Sequence, residues 1–310
     1  MTNPIKFVTF NTKGLNSPVK RKRVLSYLKK LDAGIVYIQE SHLSHGEHQK
    51  LRREWVGQVF ASSFNTKSRG TAILIHKNIP FTATKTTLDP GGRFVLVEGQ
   101  MYSESWSLLN LYAPNFDDPA FFQNIFLLTA QAQGVLLIGG DFNFCLDSTL
   151  DRSSNKPVSL TKAAKLTISY MKDLNLTDIW RQQHPGDRDY SFYSNPHDSH
   201  TRIDNFLLSS NQCHRVLETE YLTRLLSDHS PLVLSISIAD RIKPSYRWRL
   251  NPTLLKRPDF CTFIKEQINF FTLTNKESAP NSFIFWDALK AYLRGQIISY
   301  TKSLKKNLTL

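Results

Sequence analysis

Apolar residues along this chain switch between two spacings, and the switches mark its elements. Ile5-Lys6-Phe7-Val8-Thr9 reads as a first strand. Ser17-Pro18 opens a helix, with proline at an early helical position. Val24, Leu25, Leu28 and Leu31 give that helix an apolar stripe, and Lys20-Arg21-Lys22-Arg23 with Lys29-Lys30 form its polar side. Gly34 ends the turn, and Ile35-Val36-Tyr37-Ile38 is a second strand, apolar enough for burial on both faces. Farther on, residues 70–76, 94–100 and 106–112 read as strands separated by turn-rich pieces such as Asp89-Pro90-Gly91-Gly92. A helix over 119–131 leads to a strand at 135–138, and another helix covers 160–174. Strands follow near 190–193, 202–208 and 232–238. Strands and helices mix throughout, and consecutive strands can pair as hairpins. The pattern predicts two packed mixed sheets with helices outside them.

Composition narrows the class. The 310 residues are 41% hydrophobic and 21% charged, which excludes a wholly disordered chain, a collagen and a coiled-coil rod. At ~150 residues per domain the length suits about two domains, or one large α/β domain with an appendage. Thirty-nine Lys/Arg against 26 Asp/Glu leave a net +13. That balance points to a polyanion, nucleic acid or an anionic membrane surface, although a merely basic surface also accounts for it. Residues 241–310 hold 13 Lys/Arg against 4 Asp/Glu, so they carry nine of the 13 net charges. The boundary is set at Asp240: a main domain at 1–240 and a basic helical extension at 241–310, where Pro252 and Asn281 each open an amphipathic helix.

Cys145, Cys213 and Cys261 are widely spaced and form no Cys-x-x-Cys pair, which argues against a zinc ribbon or a disulfide scaffold and fits a reducing compartment. Residues 1–9 lack the apolar core of a signal peptide, so the chain is not expected to be secreted. The uncharged stretch 119–140 contains Gln123, Asn124, Gln131, Gln133 and Gly134 and ends in Gly139-Gly140, and it reads as a helix and a buried strand rather than a membrane span. Met1, Met101 and Met171 are too far apart in sequence to suggest a soft-metal site.

Acidic and amide residues recur at strand ends, where loops are free of packing duties. Asn11 follows the first strand, Gln39-Glu40 ends the second, and Tyr112 closes the strand before Ala113-Pro114-Asn115. Gly140-Asp141-Phe142-Asn143 follows the strand at 135–138, Asp204 begins a late strand, and Ser227-Asp228-His229-Ser230 precedes the last. Each has a plain alternative. Glu40 can be a hydrated loop acid, Gly-Gly-Asp a turn, Asp228-His229 a cap and a surface imidazole, and Asp204 the ion-pair partner of Arg202. Asp141 and Asn143 stand two apart, so an extended segment would point both side chains the same way. Together the set supplies hard oxygen ligands, a base with an amide and an Asp–His pair. Those are the parts of metal-assisted phosphodiester hydrolysis.

In this order, Asn11, Gln39-Glu40, Asn110-Leu111-Tyr112-Ala113-Pro114-Asn115, Gly140-Asp141-Phe142-Asn143, Arg202-Ile203-Asp204 and Ser227-Asp228-His229-Ser230-Pro231 resemble the endonuclease/exonuclease/phosphatase superfamily over residues 5–238. Asn11-Thr12-Lys13-Gly14-Leu15-Asn16-Ser17-Pro18, Ser41-His42-Leu43 after Glu40, Leu150-Asp151-Arg152-Ser153 and Tyr190-Ser191-Phe192-Tyr193-Ser194 resemble the endonucleases of non-LTR retrotransposons of the long interspersed element type. Trp248-Arg249-Leu250-Asn251 and Phe285-Trp286-Asp287-Ala288-Leu289-Lys290-Ala291 are similar to the segment that joins such an endonuclease to its reverse transcriptase.

The resemblance implies a four-layered α/β sandwich, two packed mixed sheets flanked by helices, with a helical C-terminal extension. It implies a Mg²⁺-dependent DNA endonuclease, with Mn²⁺ as the substitute ion, that leaves a 3′-hydroxyl nick. Glu40 would hold the metal, with Asn11 beside it and Asp228 sharing it. Asp141 would orient or deprotonate the attacking water, and Asn143 would support the water and a phosphate oxygen. His229, kept charged and oriented by Asp204, would contact the scissile phosphate, and Tyr112 would bind the phosphate or help the leaving oxygen. Arg152, Ser191 and Arg202 would contact DNA. The implied partner is double-stranded DNA, with RNA a further partner for the basic tail and no membrane. The implied location is the nucleus, and a full-length parent would carry the reverse transcriptase domain that this chain, with no Tyr-x-Asp-Asp motif, lacks.

One position departs from that pattern. Lys13 stands where repair relatives have an Asp and many element enzymes an Asn, and a protonated lysine cannot bind Mg²⁺, so single-metal chemistry is expected. Lys20-Arg21-Lys22-Arg23 fits a nuclear-import or DNA patch as well as a solvated helix face. Arg247-Trp248-Arg249 fits nucleic-acid stacking as well as docking of the tail. Target preference is assigned to the loops between Tyr190 and Arg202. The rival readings are an apurinic endonuclease or exonuclease of DNA repair, a phosphoinositide or sphingomyelin phosphodiesterase of the same fold, and an inactive nucleic-acid-binding copy.

Overall fold

The computed structural model describes residues 4–154, 158–195, 198–238 and 250–307. They fall into two compact units, within 1–241 and 242–310. The first begins with Ile5–Asn11 (β1), Pro18–Lys30 (α1), Ala33–Gln39 (β2), His45–Trp55 (α2), Gly57–Ser62 (β3), Thr71–His76 (β4), Phe81–Leu88 (β5), Phe94–Met101 (β6) and Glu104–Tyr112 (β7). It continues with Pro119–Thr129 (α3), Val135–Asp141 (β8), Lys162–Asp173 (α4), Leu176–Asp178 (β9), Ile179–Gln183 (α5), Phe192–Ser194 (β10), Ser199–Thr201 (β11), Asp204–Ser209 (β12), Val216–Tyr221 (β13) and Leu232–Ile236 (β14).

Local chemistry sets these elements. The Ser17 hydroxyl caps α1 by accepting from the Lys20 N–H at 3.4 Å, Pro18 stands in its first turn, and Lys29 and Lys30 close the end where carbonyl dipoles favour cations. Val24, Leu25 and Leu28 are its buried stripe. β2 is buried along its whole length, as its continuous apolar run requires.

Two six-stranded sheets result, ordered β13-β14-β1-β2-β4-β3 and β5-β6-β7-β8-β12-β9, with β10-β11 as a separate hairpin. Each contains one parallel pair, β1 with β2 across helix α1 and β7 with β8 across helix α3. The remaining pairs are antiparallel. Phe7, Tyr37, Trp106, Leu137, Phe206 and Leu234 belong to the core between the sheets. α1 and α2 cover the outer face of the first sheet through Val24, Leu28, Leu51 and Trp55, and α3 and α4 cover the second through Phe122, Phe126 and Ala164. This is the four-layered sandwich, helix–sheet–sheet–helix.

The apolar pattern missed the elements with little of it. α2 carries two large apolar residues, Leu51 and Trp55, and completes its buried face with His48. β5 alternates Thr and Lys on a largely exposed edge strand, and β13 is an edge strand too. β8 runs three residues past the expected 135–138, through Gly139 and Gly140 to Asp141.

In the second unit a 3₁₀ turn at Pro252–Lys256 precedes Pro258–Asn275 (α6) and Ser282–Asn307 (α7). Leu254, Phe260 and Ile297 form its small core, and Tyr300 donates to Asp259 Oδ2 at 2.6 Å. The expected boundary at Asp240 and the Arg247-Trp248-Arg249 segment lie outside the described residues. No helix among the described residues is long and apolar enough to cross a membrane.

Candidate active site

Strand register assembles the site. In the second sheet Tyr112 lies opposite Asp141 in the parallel β7–β8 pair, and Asp204 lies opposite Asp141 in the antiparallel β8–β12 pair. In the first sheet Asn11 faces Gln39, the residue before Glu40. Gly140 makes the end of β8 possible: it sits at φ 140°, and a Cβ there would strike the Leu111 carbonyl oxygen.

Asp141, Asp204 and His229 are all buried. Asp204 Oδ2 and His229 Nδ1 are 2.7 Å apart, and His229 Nε2 points to Asp141 Oδ2 at 3.9 Å, beyond hydrogen-bond range. Burial alone would lower the imidazole pKa, but Asp204, then Asp141 and Asp228, outweigh it and raise it to about 9. His229 is thus an imidazolium at neutral pH, with Nδ1–H held by Asp204 and Nε2–H turned to Asp141 and beyond. Burial, reinforced by the Asp204 charge, raises the Asp141 pKa above the usual carboxylate range. Asp204 is itself clamped: Ser191 Oγ accepts from its N–H at 3.1 Å, and Tyr221 donates to its carbonyl at 2.6 Å. Phe192 lies over the imidazole at 4.7 Å.

Asn11 joins the two sheets. Its Nδ2 donates to Asp141 Oδ2 at 2.9 Å and to Glu40 Oε1 at 3.0 Å, and its Oδ1 accepts from the Lys13 N–H at 3.1 Å. Asn11 therefore presents N–H groups, not its oxygen, to the two carboxylates. Glu40 Oε2 faces His42 Nε2 at 3.2 Å. Tyr112 lies near Glu40 and Asp141; burial and then those charges raise its pKa, and the Arg93 guanidinium sits 5.4 Å over its ring. Asp228 is paired with Lys13 at 2.6 Å, and its pKa is lowered because that ammonium and His229 outweigh partial burial.

The donor set suits a hard cation. Glu40 is a partly exposed carboxylate on a loop, with Asn11 orienting one oxygen. Asp141, Asp204 and His229 also bring ligand atoms within 4.8 Å of one another. In that trio, however, Nδ1 and Oδ2 saturate each other, which suits proton handling better than metal binding.

Asn143 joins Asp141 by a route the extended-segment reading missed. It sits at φ 55°, its N–H donates to Asp141 Oδ1 at 2.9 Å, and its Nδ2 donates to the Ala113 carbonyl at 2.8 Å. A tight Asx turn, not extended alternation, aligns the pair.

Two expected DNA contacts are corrected. Arg202 is fully buried: its guanidinium binds both oxygens of Asp151 at 2.7 and 2.9 Å, Asp178 at 2.7 Å and Asn205 at 2.6 Å. Ser191 is buried and spends its hydroxyl on the Ile203 and Asp204 N–H groups. Neither can reach DNA. Arg152 is partly exposed and lines an open cavity of ≈ 570 Å³ beside Asn143, together with Phe144, Phe192, Ile203 and Thr201. The sequence placed His42 only within the Ser41-His42-Leu43 resemblance, with no role of its own, and did not single out Arg93. A histidine two residues after a candidate metal carboxylate was the available signal for His42; nothing local marks Arg93.

Comparison with known proteins agrees with this fold. Over 303 residues the chain is 27% identical to the Transposon TX1 uncharacterized 149 kDa protein of Xenopus laevis, covering 96% of this chain and 23% of that protein. The chain therefore spans less than a quarter of that relative. The AP endonuclease LMAP of Leishmania major shares the fold with a TM-score of 0.62 at 18% identity, over 76% of this chain and 88% of that one. The APE2 catalytic domain of Xenopus laevis does so with a TM-score of 0.60 at 18% identity, over 76% and 94%. Residues 8–229, which carry every strand-end group described above, match the endonuclease/exonuclease/phosphatase family, and the chain belongs to it.

Proposed function

We propose that this chain is a divalent-metal-dependent DNA endonuclease, the nicking domain of a non-LTR retrotransposon protein, that hydrolyses one phosphodiester bond to leave a 3′-hydroxyl. The observation that carries the reading is the line Asp204–His229–Asp141, with a charged imidazole directed toward a carboxylate of raised pKa. Asp141 takes a proton from the attacking water, for which a raised pKa suits it. Asn143, fixed by Ala113, supports the same water and a phosphate oxygen. The imidazolium N–H of His229 binds a non-bridging oxygen where negative charge builds. Tyr112 faces the leaving oxygen. Glu40, steadied by Asn11, would hold Mg²⁺ or Mn²⁺, which supplies charge neutralisation at the phosphate.

The transposon relative favours an element enzyme. The cavity beside Asn143, with Phe144 and Phe192 in its wall, favours a second reading, incision at an abasic nucleotide, because it could accept a displaced sugar. The test uses supercoiled plasmid and a duplex with one abasic site, each with Mg²⁺ or chelator, for wild type and Asp204→Ala. Metal-dependent nicks that DNA ligase seals, absent from the variant, with no preference for the abasic duplex, are expected. Incision confined to the abasic site would move the chain to repair, and no cleavage of either substrate by a folded protein would end the nuclease reading.

A further inference from the structure

The Lys13–Asp228 pair lies beside the reacting groups, and apart from the Asp228 charge that helps to raise the His229 pKa it takes no part in the steps above. Three contacts place it. The Lys13 N–H donates to Asn11 Oδ1, its carbonyl accepts from Lys20 Nζ at 3.1 Å, and its own Nζ lies 2.6 Å from Asp228 Oδ2. Lys20 Nζ also holds the Thr12 carbonyl at 2.6 Å, which ties the turn to the start of α1. Asn11 donates to Glu40 and to Asp141, so one amide fixes the lysine backbone, the candidate metal carboxylate and the candidate base together. The lysine side chain is 62% exposed, so its ammonium faces the solvent from which a substrate arrives. An ammonium has three donors, and Asp228 takes one.

With Oδ2 bound to the ammonium and Oδ1 accepting from Ser227 Oγ at 3.2 Å, Asp228 is a poor ligand for a divalent ion, because the ammonium and the metal would repel each other across one carboxylate. We propose that the Lys13 ammonium takes the place of a bound metal cation at Asp228. It withdraws Asp228 from the metal shell, leaves Glu40 as the ion's carboxylate, and offers its other N–H donors to a non-bridging oxygen of the phosphodiester. Only the identity of that phosphodiester rests on the nuclease reading; the metal stoichiometry does not. Asp228, expected to share the ion, becomes the residue that positions the ammonium.

The test measures Mn²⁺ binding to the full chain without DNA, by electron paramagnetic resonance. Wild type is expected to bind a single ion. Glu40→Gln should weaken it by about tenfold or more, and Asp228→Asn should do so far less. Lys13→Asn frees Asp228 and suits the left-handed backbone at φ 46°, so it should tighten Mn²⁺ or admit a second ion. With DNA, Lys13→Asn should raise KM about tenfold, and Lys13→Arg, which keeps the charge, should restore most of it. Equal weakening by Asp228→Asn and Glu40→Gln, or two ions in wild type, would overturn the proposal, as would an unchanged KM in Lys13→Asn. Failure of the nuclease reading would look different: no DNA cleavage by wild type, with the Mn²⁺ pattern as expected.

Discussion

Asp204 holds His229 in its charged state. It supplies the largest of the charges that keep the buried imidazole protonated. Asp204→Asn should therefore slow plasmid nicking by about 10²- to 10⁴-fold. The alkaline limb of its pH–rate profile, near pH 9 in wild type, should move to lower pH; a limb that stays in place would refute this role for Asp204. A second histidine acts on stability alone. His48 is buried between Ser41 Oγ at 2.9 Å and Ser63 Oγ at 2.7 Å, and burial lowers its pKa from 6.5 to about 4. Its folded value lies below its unfolded one, so its contribution is present in full above pH 6.5 and is lost as pH falls through 4. The loss is at most ~3 kcal/mol, and urea midpoints at pH 7 and 4.5 should differ less in His48→Gln than in wild type. Asp141, Asp204 and His229 could be picked out as candidates because residue type and order suffice to suggest them. The burial of Arg202 was not, because its partners Asp151 and Asp178 lie 51 and 24 residues away. Arg202→Ala should lower stability by about 3–5 kcal/mol, since it strands buried carboxylates, whereas Arg152→Ala should weaken DNA binding and leave the denaturation midpoint unchanged.

Among elements, the end of β8 is the critical one. A Cβ at Gly140 would meet the Leu111 carbonyl and demand a positive φ from an L-residue, so Gly140→Ala should displace Asp141. Activity should then fall by more than the loss of folded protein explains, measured as rate per folded molecule by circular dichroism. Elements with a continuous or helix-spaced apolar face, such as α1, β2 and β7, were readable from spacing alone. α2 was not, because a third of its buried face is His48, and β5 was not, because an edge strand needs few apolar residues. Register was beyond reach: that Tyr112, Asp141 and Asp204 stand side by side depends on strand partners that spacing cannot name.

At the scale of the molecule, charge and site are divided. Residues 241–310 carry nine of the 13 net positive charges, while the reacting groups lie between residues 11 and 229. A chain ending at Asp240 should keep its nicking rate at saturating DNA and show a shallower dependence of log affinity on log salt, readable by fluorescence anisotropy. The hydrogen bond from Asn11 to Asp141 spans 130 residues, and His229 comes later still. During synthesis, then, the ribosome releases the reacting groups one at a time, and the imidazole of His229 emerges last. On the proposed reading, a chain cut short before residue 229 carries acids and amides but lacks the imidazole that completes the cleavage centre, so cleavage would begin only once translation has passed that point.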